Sequence, residues 1–232
     1  MDQKRIPSFF LHPGHLHAGL LHVGLALVMM LAVLPAHAGA TGVRLMAFGD
    51  SLVHGYGLEE QETFPAQLEA ALQERGHDVR VLNAGNSGDT TAAGLARLDW
   101  ALVDDPDAIL IVLGANDGLR GTDPAQTRSN LASLLQQLEE RELPTLFTGM
   151  LAPRNMGPDY AAEFDALFPQ LAAAHEVIFY PFFLEGVVAQ PPLNQGDGIH
   201  PNAAGVAEIV KRILPSVEKL LAQVESADPR EG

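Results

Sequence analysis

The stretch Ala108-Ile109-Leu110-Ile111-Val112-Leu113 is apolar at every position and stops at Gly114-Ala115-Asn116-Asp117. A strand with one face in water alternates apolar and polar residues; a run with no polar position needs cover on both faces. Working outward, four more short runs have the character of strands: Val43 to Phe48, Val79 to Leu82, Thr145 to Met150 and Val177 to Tyr180. Helical patterns lie between them. Glu62 to Arg75 carries Leu68 and Leu72 four residues apart, and Thr90 to Leu102 fills the next gap. Asp123-Pro124 is a capping residue followed by proline at the first helical position, and Leu131, Leu134, Leu135 and Leu138 then form one apolar stripe. A helix around Ala161 to Ala173 follows. Pro201 is expected to open a C-terminal helix bearing Ile209, Ile213 and Leu214, with a polar, frayed tail from Glu225. Five strands alternating with helices predict an α/β fold with right-handed crossovers and a parallel sheet clothed on both faces.

In such a sheet the functional groups belong just beyond the carboxyl ends of the strands. Four motifs sit there. Gly49-Asp50-Ser51-Leu52 follows the first strand, and Asn83-Ala84-Gly85-Asn86-Ser87-Gly88-Asp89-Thr90 follows the second. Asn116 and Asp117 follow the third, and Asp197-Gly198-Ile199-His200-Pro201-Asn202 lies beyond the fifth. A serine hydroxyl needs an adjacent base to act as a nucleophile near neutral pH, and imidazole titrates in the right range. His200 is the candidate base for Ser51. Asp197, three residues earlier, can hold the second ring nitrogen and stabilise the imidazolium. The backbone N–H groups of Ser51 and Gly88 and the side-chain amide of Asn116 are candidate donors to an oxyanion. Gly-x-Ser-x-Gly is absent at Ser51, so the nucleophile elbow of the α/β-hydrolases does not apply.

Each residue also has a plainer role open to it. Ser51 could cap the helix after it, Asn116 could satisfy its own loop, and Asp197 and His200 could form a surface ion pair. His54 is a rival base only three residues beyond Ser51, although a side chain on the same short helix projects along it. Asp50, Asp89 and Asp117 could imitate a carboxylate metal cluster; the expectation is that they bond local backbone amides and hold the loops, with no metal. His77 and His175 are expected to face solvent.

These four blocks, taken together, resemble the SGNH (GDSL) hydrolase family, and the resemblance spans the chain from about Val43 to the C-terminal helix. The strings that carry it are Phe48-Gly49-Asp50-Ser51-Leu52, Ser87-Gly88-Asp89-Thr90 with Gly94-Leu95-Ala96-Arg97-Leu98, Asn116-Asp117-Gly118-Leu119-Arg120-Gly121, and Asp197-Gly198-Ile199-His200-Pro201-Asn202. The branch it looks most like holds bacterial periplasmic arylesterases, acyl-CoA thioesterases and lysophospholipases. The resemblance implies a three-layer α/β/α flavodoxin-like fold with a five-stranded parallel sheet. It also implies Ser51 as nucleophile, Asp197 and His200 completing the triad, and Gly88 and Asn116 as oxyanion donors beside Ser51. Ala115 stands where the thioesterase members carry a second glycine, and the Pro- and Gly-rich stretch Met150 to Tyr160 resembles the arylesterases and is expected to line the acyl pocket. The activity implied is hydrolysis of small-molecule esters or thioesters through an acyl-serine, a chemistry that needs no cofactor. A carbohydrate O-deacetylase is the alternative substrate reading, and a catalytically silent acyl- or lipid-binding module is the alternative class.

The whole-chain properties fit that class. The 232 residues suffice for one α/β domain, and a formal charge of −15 disfavours nucleic acid and anionic lipid surfaces as partners. With no cysteine, the chain has neither disulfides nor thiolate chemistry. Lys4 and Arg5, the apolar run Val23 to Leu34, and Pro35 before Ala36-His37-Ala38 read as a signal peptide cut after Ala38, leaving a domain of residues 39–232. The expected location is periplasmic or secreted, without stable membrane insertion after cleavage; an uncleaved anchor is the alternative. A monomer is the default expectation.

Overall fold

The computed structural model describes residues 42–227, so the signal-peptide reading of residues 1–38 falls outside the described residues. The described residues form a single compact unit. Its elements run β1 (Val43–Gly49), α1 (Ser51–His54), α2 (Phe64–Glu74), β2 (Val79–Gly85), α3 (Thr91–Ala101) and β3 (Ala108–Val112). They continue with α4 (Ala115–Arg120), α5 (Pro124–Glu139), β4 (Thr145–Thr148), α6 (Pro158–Ala174), β5 (Ile178–Tyr180) and α7 (Ala203–Ala227).

The wholly apolar run is the centre of the sheet. Every residue of β3 has no exposed surface, because β1 pairs with it on one side (Leu45 with Ala108) and β4 on the other (Ile109 with Thr145). All five strands are parallel, in the order β2-β1-β3-β4-β5. That order makes the chain step one way from β1 to β2 and the opposite way afterwards. Right-handed crossovers then put α2 on one face and α3, α5 and α6 on the other. The packing agrees: α2 lies against α7, and α5 lies between α3 and α6.

The helices form where local chemistry favours them. Asp123 accepts the Ala125 N–H at 2.8 Å ahead of Pro124, and Leu131, Leu134, Leu135 and Leu138 of α5 are buried. Burial of one such leucine contributes about 1.5–3 kcal/mol.

Some expected boundaries move. β2 continues through Asn83-Ala84-Gly85, because β1 still runs beside it and pairs Gly49 with Gly85. Pro201 does not open the last helix. It forms an isolated antiparallel bridge with Asn194, and α7 begins two residues later, after the Asn202 side chain accepts the Gly205 N–H at 3.0 Å. The helix also continues beyond Glu225 to Ala227, anchored by buried Leu220 and Leu221. α6 opens at Pro158 rather than Ala161 and passes through Pro169. Finally, Asn116 lies in the first turn of a helix, α4, rather than in a loop.

Candidate active site

At the carboxyl edge the strand order puts the end of β1 between the ends of β2 and β3. The order of the chain reverses there, and open α/β sheets bind ligands at such a point. Ser51, Gly88 and Asn116 therefore converge from three adjacent strands. His200 arrives from a segment outside the sheet, 149 residues along the chain from Ser51.

The four sequence motifs meet. His200 Nε2 lies 2.9 Å from Ser51 Oγ, and His200 Nδ1 lies 2.7 Å from Asp197 Oδ2. A carboxylate accepts only, so Nδ1 carries the proton and Nε2 presents a lone pair to the Ser51 hydroxyl. Asp197 is itself fixed: its Oδ1 accepts the backbone N–H groups of Ile199 at 2.9 Å and His200 at 3.0 Å. The His200 ring bond, followed by these two amides, holds the Asp197 carboxyl at about 2, so it stays ionised across the neutral range.

Ser51 heads α1, where Asp50 caps the helix by accepting the Leu52 N–H at 3.0 Å. Among the described residues the backbone N–H groups of Ser51 and Gly88 have no acceptor. Gly88 holds φ at +88°, a conformation that glycine adopts without strain. Asn116 reaches the same place, but its amide is engaged. Nδ2 donates to Asp50 Oδ2 at 3.2 Å and to the Asp89 carbonyl at 3.0 Å. The candidate third donor therefore also braces the loops after β1 and β2, with its longer bond on Asp50.

Asp50 has no solvent exposure. Burial raises its carboxyl to about 6, against the lowering effect of the Leu52 amide, the Asn116 amide and nearby His200; the Asp89 charge adds to the rise. Asp89 accepts from Arg97 Nε at 2.5 Å and from Asn86 Nδ2 at 2.6 Å. Asp117 accepts the Thr91 N–H at 2.8 Å and the Thr91 hydroxyl at 2.7 Å, tying α3 to α4. The three carboxylates hold loops. Among the described residues no group of three or more His, Asp or Glu side chains gathers as a metal site would.

His54 points elsewhere, with Nδ1 3.3 Å from the Gly85 carbonyl. His77 and His175 are not simply solvent-facing: each lies near a glutamate, Glu218 at 3.4 Å and Glu139 at 3.2 Å. Arg97 was not singled out by motif chemistry. It donates to the Gly49 carbonyl at 2.8 Å as well as to Asp89, and its guanidinium lies 4.1 Å from the centre of the Phe48 ring. Its position eight residues after Asp89, two turns into the following helix, was the available signal.

Residues 47–207 match the GDSL-like lipase/acylhydrolase family. An arylesterase of Vibrio mimicus is 38% identical over 192 residues, covering 81% of this chain and 96% of the relative. The thioesterase 1/protease 1/lysophospholipase L1 of Escherichia coli K12 is 38% identical over 177 residues, covering 76% of this chain and 84% of the relative. The crystal structure of AlinE4, an SGNH-hydrolase family esterase, superposes with a TM-score of 0.66 at 46% identity, covering 78% of this chain and 97% of that one.

Proposed function

The chain belongs to the GDSL-like lipase/acylhydrolase family and is a serine ester hydrolase, and from that premise we propose that it cleaves small-molecule carboxylic esters or thioesters through an acyl-Ser51 intermediate. The observation that carries this reading is the unbroken line from Asp197 through His200 to Ser51 Oγ, at 2.7 and 2.9 Å.

His200 Nε2 takes the hydroxyl proton as Ser51 Oγ bonds to the substrate carbonyl carbon. The oxyanion lies against the N–H groups of Ser51 and Gly88, and Asn116 shares with it the longer of its two bonds. The bond to the leaving group breaks as His200 returns the proton to the departing alcohol or thiol. Water then attacks the acyl-serine with His200 again as base, and the acid leaves with Ser51 restored. Asp197 stays ionised throughout and holds the imidazolium.

The experiment is hydrolysis of a p-nitrophenyl ester together with labelling by a fluorophosphonate. Ser51→Ala and His200→Ala are expected to lose turnover, and Ser51→Ala to lose labelling, while His54→Ala stays active. Full turnover in Ser51→Ala would refute the mechanism, and unlabelled but folded wild type would favour a silent binding module. A panel of esters from acetyl to palmitoyl, with acyl-CoAs and lysophospholipids, assigns the acyl group. The reading includes export by the leader, tested by whether the N-terminus of the exported protein is Gly39. Among the described residues no helix is long and apolar enough to cross a membrane.

A further inference from the structure

The segment that carries His200 is braced mainly by its own turns, with Asn194 bonding the Val187 and Gln190 carbonyls and Asn202 the Pro192 and Asn194 carbonyls. It lies outside the sheet, and among the described residues its one bridge, between Asn194 and Pro201, closes the segment on itself. Yet a base must sit within a few tenths of an ångström of its nucleophile. Something beyond the Ser51 hydroxyl has to fix it there.

Two residues outside every motif meet that need. Gly55 ends α1 with φ at +86°, and a Cβ there would fall 2.2 Å from Thr63 Cγ2, so only glycine fits. This turn sends the chain back over the start of the helix, where the Tyr56 N–H donates to the Ser51 carbonyl at 3.2 Å. The Tyr56 ring then lies against the His200 ring, with centroids 4.7 Å apart and planes inclined by 38°. Gln195 joins the two loops. Its Nε2 donates to the Tyr56 carbonyl at 2.7 Å and the Pro201 carbonyl at 3.0 Å, and its backbone N–H donates to the His200 carbonyl at 2.8 Å. The Gln195 side chain thus ties the segment after Ser51 to Pro201, the residue next to His200.

We propose that Tyr56 and Gln195 form a clamp that positions His200 against Ser51, with the Tyr56 ring also favouring the imidazolium that forms during turnover. An aromatic face within about 6 Å attracts a cation, and histidine becomes one each time it takes the serine proton. Tyr56 is half-exposed, so the contact is worth the modest amount seen for aromatic pairs and exposed cation–π contacts. Both are positioning residues that act through His200.

The inference rests on His200 being the base, and the experiment separates the two. Steady-state hydrolysis of p-nitrophenyl butyrate is compared for wild type, Tyr56→Phe, Tyr56→Leu, Gln195→Ala and the Leu/Ala double variant, with thermal unfolding of each. Tyr56→Phe keeps the ring and is expected to stay within about twofold of wild type. Tyr56→Leu and Gln195→Ala are each expected to lose about threefold to tenfold in kcat with KM little changed. The double variant should fall by less than the product of the single losses, because both act through one ring. Folded single variants with wild-type kcat overturn the clamp, as does a Tyr56→Leu loss confined to KM, which would make the ring a substrate wall. Tyr56→Phe as damaged as Tyr56→Leu overturns the ring's role. An active His200→Ala would instead remove the reading beneath it, whatever the clamp variants do.

Discussion

Asn in place of Asp50 should remove the pH dependence of one part of the protein's stability. The carboxyl sits at about 6 in the folded protein against 3.8 in its ordinary state, so the folded chain holds that proton more tightly than the unfolded chain does. Its contribution is fully present below about pH 4 and is lost as pH rises through about 6. At about 1.4 kcal/mol per pH unit, the ionised group costs the fold about 3 kcal/mol above pH 7, most of which separates pH 8 from pH 4. Asp50→Asn cannot ionise. Its amide must place NH2 against either the Leu52 N–H or the Asn116 amide, a penalty of about 1–3 kcal/mol that is the same at every pH. The titratable groups facing position 50 are His200 and Asp89, the latter paired with Arg97; they remain in both proteins. Urea unfolding of both proteins at intervals from pH 4 to pH 8 gives the comparison. The stability of wild type minus that of Asp50→Asn should fall by about 2–3 kcal/mol as pH rises, and turnover by the variant should fall because Asn116 loses its anionic anchor. A difference that stays flat within about 0.5 kcal/mol, or that grows in favour of wild type toward pH 8, would refute the reasoning.

Three further outcomes follow from the site. Asn116→Ala should lower kcat by about 10²–10³ with little change in KM, read from steady-state ester hydrolysis, since oxyanion donors act in the transition state. Asp197→Asn should lose about a thousandfold in kcat by releasing the Nδ1–H from its acceptor; because the wild-type carboxyl sits at about 2, below its unfolded value, the wild-type loss of activity between pH 7 and pH 4 should not reflect this residue. Gly88→Ala meets no atom nearer than Arg120 Nη2 at 3.8 Å, so its effect should be conformational, about 1–2 kcal/mol in unfolding free energy, accompanied by lost turnover as the residue 88 N–H turns away.

How far the sequence could be read depends on whether a feature is local or assembled. The central strand was legible because Ala108 to Val112 has no polar position, which leaves it no face for water. The site blocks were legible because each follows its own strand. Beyond that, the reading fails where partners come from different elements. Asn83, Ala84 and Gly85 look like a turn, yet they extend an edge strand because β1 continues beside them. Asn116 is legible as a candidate donor, but that its hydrogens also go to Asp50 and the Asp89 carbonyl depends on β2, β1 and β3 being neighbours. Pro201 looked like a helix start, but the bridge to Asn194 claims it. Tyr56 and Gln195 carry no periodicity and no motif, and only the fold puts one ring on another.

Each functional block carries an aspartate, and the structure separates their work. Asp197 is kept a carboxylate by the His200 ring and the Ile199 and His200 amides, and on the proposed mechanism its charge faces the ring that becomes positive. Asp50, next to Ser51, is buried, and on the proposed mechanism its charge would oppose the oxyanion, so its place there needs another reason. That reason is mechanical: it caps α1 and pulls on Asn116. Arg97 offsets the neighbouring charge of Asp89 and also grips the Gly49 carbonyl, so the loop that bears Ser51 is held from both sides. A site assembled in this way sacrifices stability for alignment, as functional sites commonly do. The same trade explains why the measurement on Asp50 is discriminating: if Asp50 is a strut rather than a source of catalytic charge, its removal should strengthen the fold relative to wild type as pH rises while it weakens the enzyme.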